Sequence, residues 1–180
     1  YLASSGQIYW SDTHQMSTYV RDYHQVLAPR LGRDATGTEM ITEIYVPRDA
    51  LAGFMEAVRG DLIGQGAELI YGTIRLIEQD RESFMPWAKK SYACVIFNIH
   101  IEHTTSGLIK AGDVFRRLID IGLKHGGSYY PTYNRYALRR QVGACFPQMQ
   151  EFLKLKLKYD PQKLFQSEWY RHYERMYEHK

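Results

Sequence analysis

Residues 91–102 constrain this chain more than any other stretch. Ala93, Val95, Phe97, Ile99 and Ile101 alternate with Cys94, Ile96, Asn98, His100 and Glu102, the two-residue period of a β-strand with one face on a core. Such a strand has to pair with others, and its apolar face has to be covered by another layer. The flanking sequence supplies both. Glu68 to Glu78 reads as a second strand, with Ile70, Ile74 and Leu76 on one face and Tyr71, Thr73 and Arg75 on the other. A polar loop containing Pro86 joins the two. Met40 to Val46 is a third β-type run. Pro47, a favoured first helical residue, follows it. Leu51, Phe54, Met55, Val58 and Leu62 then recur at helical spacing, and Gly64 and Gly66 stop that helix.

Downstream, the pattern predicts a helix over Gly107 to Lys124 that buries Leu108, Phe115, Leu118 and Ile119 and stops at Gly126-Gly127. Ser128 to Tyr133 is a short extended segment broken by Pro131. Helical pieces follow at Leu138–Ala144 and Pro147–Lys158, the second ended by Asp160-Pro161, and at Ser167–His179. Near the start, Gln7 to Trp10 suits a short strand. Ser11-Asp12-Thr13 can cap a helix through Val20 and Leu27, closed by Pro29, with a polar loop at 31–38. The central order is therefore β-α-β-β-α-β, the split βαβ or ferredoxin-like arrangement. The expected class is α+β: an antiparallel sheet with helices on one face, plus a C-terminal helical segment. Residues 1–38 form a lead-in, 39–135 the ferredoxin-like domain and 136–180 the helical segment.

Composition narrows the function classes. A net charge of +3 over 180 residues, without a concentrated basic face, does not point to nucleic acid. The lysines at 154, 156 and 158 fan around one helix. No apolar stretch reaches the length of a membrane span. Cys94 and Cys145 are far apart, in apolar surroundings, and read as buried free thiols, which fits the reducing cytoplasm. No CxxC, GxSxG, HExxH or Walker pattern occurs, and His14 and His24 have no third ligand nearby, so no metal is expected.

If the strands at 68–78 and 91–102 pair as a hairpin, Thr73, Arg75, Asn98 and His100 collect on one surface away from the helices. A guanidinium there can neutralise an oxyanion or clamp a carboxylate, and an imidazole can exchange a proton near neutral pH. The neighbouring Tyr71, Cys94 and Ile96 are too apolar for an open surface, so the face suits a covered pocket with a few convergent polar groups.

The C-terminal third carries a resemblance. Its residues are Gly126-Gly127-Ser128-Tyr129-Tyr130-Pro131-Thr132-Tyr133-Asn134-Arg135-Tyr136, then Ala-Leu-Arg-Arg-Gln-Val, Phe146-Pro147 and Phe152-Leu153. Lys158-Tyr159-Asp160-Pro161-Gln162-Lys163-Leu164-Phe165-Gln166-Ser167 completes it. This resembles the C-terminus of FAD-linked oxidases of the vanillyl-alcohol-oxidase superfamily, near the sugar-lactone, alditol and decaprenyl-phosphoryl-ribose oxidase branches, where a K-x-D-P-x-x-x-F segment recurs. Gly72-Thr73-Ile74-Arg75 also looks like the S-E-I-R strand of the aldonolactone and alditol oxidases.

The resemblance implies an FAD-dependent oxidoreductase that oxidises an alcohol-type carbon by hydride transfer. This chain would be its substrate-binding cap and C-terminal region. Most of the FAD would be held by an N-terminal domain of the same full-length protein that is absent here, in keeping with a chain starting at Tyr1. Arg75 matches a substrate-contacting Arg, and Thr73 stands where the alditol oxidases have Glu. Tyr133, or Thr132 with a one-residue shift, stands where several members have a flavin-reaching Lys. On this reading Arg75 and His100 are catalytic, Thr73, Asn98 and Asn134 bind substrate, and Tyr133 and Thr132 face the cofactor. Leu164 and Phe165 are expected to drop into the core and pin the chain's end. The partners are a small-molecule substrate and the flavin domain, with an exposed sheet face that invites a homodimer. The alternative is a stand-alone ferredoxin-like binding or regulatory module without catalysis.

Overall fold

A four-stranded sheet in the order β2-β3-β1-β4 organises the molecule. The computed structural model describes residues 37–178, and before them Pro29 alone. The strand expected at 7–10, the helix through Val20 and Leu27, and His14 and His24 lie outside the described residues. The elements are β1 (Gly37–Pro47), α1 (Leu51–Gly64), β2 (Leu69–Ile77), β3 (Tyr92–Glu102), α2 (Thr105–Lys124), β4 (Ser128–Tyr129), α3 (Arg139–Cys145), α4 (Met149–Tyr159) and α5 (Glu168–Glu178). The class is α+β. β2 pairs antiparallel with β3, and β4 antiparallel with β1. Gly37 and Thr38, expected in a loop, begin β1 instead.

The main core fills one side of the sheet. Ile44 and Val46 of β1, and Ala93, Val95, Phe97, Ile99 and Ile101 of β3, pack against Phe54, Val58 and Leu62 of α1 and Val114, Phe115, Leu118 and Ile119 of α2. Each such side chain contributes about 1.5–3 kcal/mol of burial. Leu108 is a correction: it is half exposed, and Ala111 and Val114 take the buried stripe instead. The helix starts earlier than Gly107 because the Thr104 hydroxyl accepts from the Gly107 N–H and caps it.

Both sheet-packed helices end in the same device. Gly66 (φ 57°) and Gly126 (φ 73°) adopt the left-handed conformation. The amides at Gly66 and Ala67 return to the carbonyls of Ile63 and Leu62, and those at Gly126 and Gly127 to Leu123 and Gly122. These paired bonds satisfy carbonyls that a helix end would leave open.

The helical segment beyond residue 136 shares the main core through Val142, Cys145, Phe146, Met149 and Tyr173. Its Asp160-Pro161 turn is held differently from the sequence expectation. Leu164 and Phe165 are 72% and 78% exposed, so they do not pin the chain. The Asp160 carboxylate does so, accepting the Leu164 and Phe165 amides at 2.9 and 3.0 Å and the Lys156 ammonium. These donors hold its carboxyl below the usual range.

Candidate active site

The sheet face turned away from α1 and α2 carries a second, smaller core of Tyr45, Ala88, Tyr92, Cys94 and Ile96, with Ile41, Ile77 and Tyr130 against it. Strand alternation puts Glu39, Ile41, Glu43 and Tyr45 of β1 on this face. Three contacts set β1 against β3: the Asn98 amide donates to Glu39, the Cys94 thiol lies 3.5 Å from Glu43 Oε2, and the Tyr45 and Tyr92 rings stack at 6.2 Å. On the other flank of β3, Arg75 is the partner of Cys94, Thr73 of Ile96 and Tyr71 of Asn98. Glu43, Cys94 and Arg75 therefore form one row across three strands. Adjacent strands are about 4.8 Å apart, so the outer two backbones are separated by roughly 10 Å.

Glu43 is the centre of the row. It is 6% exposed. Its Oε1 accepts the Tyr133 hydroxyl at 3.0 Å, and its Oε2 accepts the Tyr45 hydroxyl at 2.8 Å and the thiol of Cys94. A buried carboxylate needs such donors, because desolvation without them is expensive. Burial, then the Glu43 carboxylate, pushes the Tyr45 phenol far up. The same causes push the Cys94 thiol and the Tyr133 phenol up to about 12 each, with the Arg75 charge pulling weakly the other way in both.

Two loops complete the site. Segment 128–133 runs beside β1, with the Tyr130 amide on the Glu43 carbonyl at 3.0 Å, which delivers Tyr133 over the carboxylate. Trp169 Nε1 and the Tyr173 hydroxyl of α5 donate to the Pro131 carbonyl at 3.0 and 3.3 Å and fix this segment. The 78–91 loop is tied by the Asp80 carboxylate, which accepts the Glu82 and Ser83 amides, and by the bond from the Asp80 amide to the Ala88 carbonyl. It places Trp87 edge-on to Tyr45 at 5.6 Å and to Tyr130 at 6.0 Å; Tyr130 in turn meets Tyr133 at 5.2 Å. Trp87 and Tyr133 remain 39% and 46% exposed, so the buried carboxylate sits beneath a partly open aromatic wall.

The expected residues distribute as follows. Thr73, Arg75, Asn98 and His100 do share this face. Thr73 and Arg75 are exposed on the edge strand, whereas Asn98 and His100 are buried. Arg75 and His100 are not brought together: the register partner of Arg75 is Cys94, six residues along β3 from His100, or about 20 Å of strand. No one reacting atom can meet both. Asn134 serves a local turn, its side-chain oxygen accepting the Tyr136 amide at 3.3 Å, and Thr132 is exposed beside Tyr133. The face is also less open than expected: at β1 and β3 it is buried, and it is exposed along β2. Sequence reasoning passed over Glu43, Tyr45 and Trp87. The available signal was Glu39 and Glu43, four residues apart on one face of a strand whose other face is Ile44 and Val46.

Both cysteines are free and buried. Among the described residues no cluster suits a metal and no helix is long and apolar enough to cross a membrane. No protein-family model matches the chain, and no curated protein matches its sequence.

Proposed function

We propose that this chain is the substrate-facing part of an FAD-dependent oxidoreductase that oxidises an alcohol-type carbon of a sugar, lactone or related compound by hydride transfer to flavin. The observation that carries the reading is the Glu43–Cys94–Arg75 row beneath the half-exposed Trp87 and Tyr133. It combines a wall of aromatic rings set edge-on to one another, a satisfied buried carboxylate and an exposed guanidinium, the combination expected of a pocket for a polar ligand. The ferredoxin-like scaffold proposed with it is supported by the strand order β2-β3-β1-β4 within the β-α-β-β-α-β chain order. The C-terminal sequence resemblance points the same way.

The residues present fit a flavin as a lid would, with exposed aromatic surface at Trp87 and Tyr133. The hydride-accepting chemistry belongs to FAD when it is bound, held mainly by a separate flavin-binding domain of the full-length protein. Arg75 donates to the substrate oxygen and fixes its orientation. Thr73, one row along the same edge strand, lines the substrate side. Asn98 is 2% exposed and gives its side-chain amide to Glu39, so it supports the floor of the site and does not itself touch the substrate. Tyr133 and Thr132 face the ring. His100, at the far end of the face, is outside this set.

The test is flavin reduction by rapid mixing in the full-length protein, against a panel of sugars, lactones and simple alcohols. Arg75→Gln is expected to slow reduction about 100-fold and to raise KM, as loss of a charge-assisted contact does. A colourless full-length protein, or an Arg75→Gln variant reduced at the wild-type rate, overturns the assignment.

A further inference from the structure

Resting on that reading, we infer that Tyr133 is the catalytic residue that takes the substrate's hydroxyl proton, and that Glu43 receives it through Tyr133. The substrate O–H bond breaks and its proton moves to Tyr133 Oη. The proton already on Oη passes along the 3.0 Å bond to Glu43 Oε1. A bound flavin would supply the two-electron acceptor for the C–H bonding pair, which would leave as hydride and turn the carbon into a carbonyl. Two electrons and two hydrogens leave the substrate, and both are accounted for.

The geometry arrives at this pair by elimination among the groups of the row. Arg75 has donors and no acceptor, so it can hold an oxygen but cannot take a proton. Trp87 has a donor only. Tyr45 and Cys94 touch Glu43 but are 0% and 1% exposed, so no ligand reaches them. Glu43 is itself shut off from solvent by these contacts. Tyr133 alone meets both requirements: nearly half its surface is accessible, and its hydroxyl already donates to a carboxylate. That bond leaves the lone pairs of Oη for an incoming O–H. The division of labour within the carboxylate supports the same path, since Oε2 serves Tyr45 and Cys94 while the bond from Tyr133 goes to Oε1. The ring is steadied by Tyr130 on its edge, and its segment is held by the two donors of α5 on Pro131. A proton relay needs this kind of fixed hydrogen-bond geometry. His100, about 20 Å away along β3, cannot serve the substrate that Arg75 holds.

The experiment uses the flavin-loaded full-length protein in wild-type, Tyr133→Phe, Glu43→Gln and doubly substituted forms. Two quantities are read: the flavin-reduction rate, and the ionisation of Tyr133 followed by the Cζ resonance of labelled tyrosine. Both substitutions are near-isosteric, and an unchanged flavin spectrum confirms the fold. Tyr133→Phe is expected to lower kcat about 100-fold or more with KM changed little, the usual worth of a positioned proton acceptor. Glu43→Gln is expected to lower kcat as well, and the double variant to be no slower than the slower single one, because the two act as a unit. Glu43→Gln also brings Tyr133 ionisation down from about 12 toward the ordinary tyrosine range, since the carboxylate helps raise it. Wild-type reduction with unimpaired Tyr133→Phe overturns the relay and leaves the oxidoreductase reading standing. An unmoved Tyr133 ionisation in Glu43→Gln overturns the relay whatever the rates. A wild-type flavoprotein that no alcohol, sugar or lactone reduces overturns the broader reading and the relay with it.

Discussion

Replacing Glu43 by Leu removes the acceptor of a tyrosine hydroxyl that has no exposure to water. The Tyr45 side chain is 0% accessible and its hydroxyl donates to Glu43 at 2.8 Å. An orphaned buried donor costs about 1–3 kcal/mol, whereas removing both partners of a buried bond is close to neutral. Glu43→Leu is therefore expected to lose about that much in urea unfolding, and adding Tyr45→Phe to it recovers most of the loss. A Glu43→Leu protein as stable as wild type means that the hydroxyl finds another acceptor. At this scale the sequence was partly legible. The alternation in 91–102 put Asn98 and His100 on the same face as Arg75 and Thr73, because strand faces follow from counting. How far apart residues lie along that face depends on register, which the pairing of Arg75 with Cys94 settles and no count within one strand does. Glu43 escaped because a carboxylate in an apolar run looks like a strand edge until its neighbours are known to be phenols.

Among the elements, the C-terminal turn shows what separates a signature from its physics. Lys158-Tyr159-Asp160-Pro161 was read correctly as a helix stop, because Asp-Pro breaks a helix locally. The companion expectation, that Leu164 and Phe165 enter the core, applied the rule that apolar residues go inside in the direction where it does not hold: a large share of any protein surface is apolar. The turn is instead closed by the Asp160 carboxylate on two backbone amides, a role the side chains following it do not reveal. A pair of truncations separates the two accounts. Phe165→Ala is expected to change stability by less than about 0.5 kcal/mol, as an exposed substitution does. Phe146→Ala, at a residue 1% exposed and edge-on to Tyr129 at 5.6 Å, is expected to cost about 3–5 kcal/mol. Equal losses in thermal or urea unfolding would restore the pinning role to Phe165. The sheet elements and the helix stops at Gly66 and Gly126 were legible because period, proline and glycine act within a few residues. Leu108 was not, since which side of a helix start faces the sheet is set by where Thr104 caps it.

For the molecule as a whole, the burial of weak acids makes alkali one side on which stability is lost. Cys94 and Cys145, and Tyr45, Tyr129 and Tyr173, all have ionisations pushed up, first of all by burial. A raised acid is protonated in the folded chain at a pH where the unfolded chain has already released its proton. Below the unfolded value the contribution is whole. Above it, the unfolded state is favoured progressively, by about 1.4 kcal/mol per pH unit for each group, until the folded group also ionises. For Cys94 that window runs from its ordinary 9.0 to about 12; the tyrosines join from their ordinary 10.0. Cys94 and Tyr45 stand apart because, after burial, the Glu43 carboxylate adds to their upward shifts, so the site itself contributes to the alkaline weakness. Urea unfolding at a series of pH values is expected to give a stability that is level near neutrality and falls above about pH 9, more steeply once the tyrosines enter. Cys94→Ala, whatever it costs near neutrality, should remove one group's share of that slope, so that its curve approaches the wild-type curve between pH 9 and 10. Parallel curves would mean that the Cys94 thiol ionises alike in the folded and unfolded chain, and that the row beneath the aromatic wall is wetter than its packing shows.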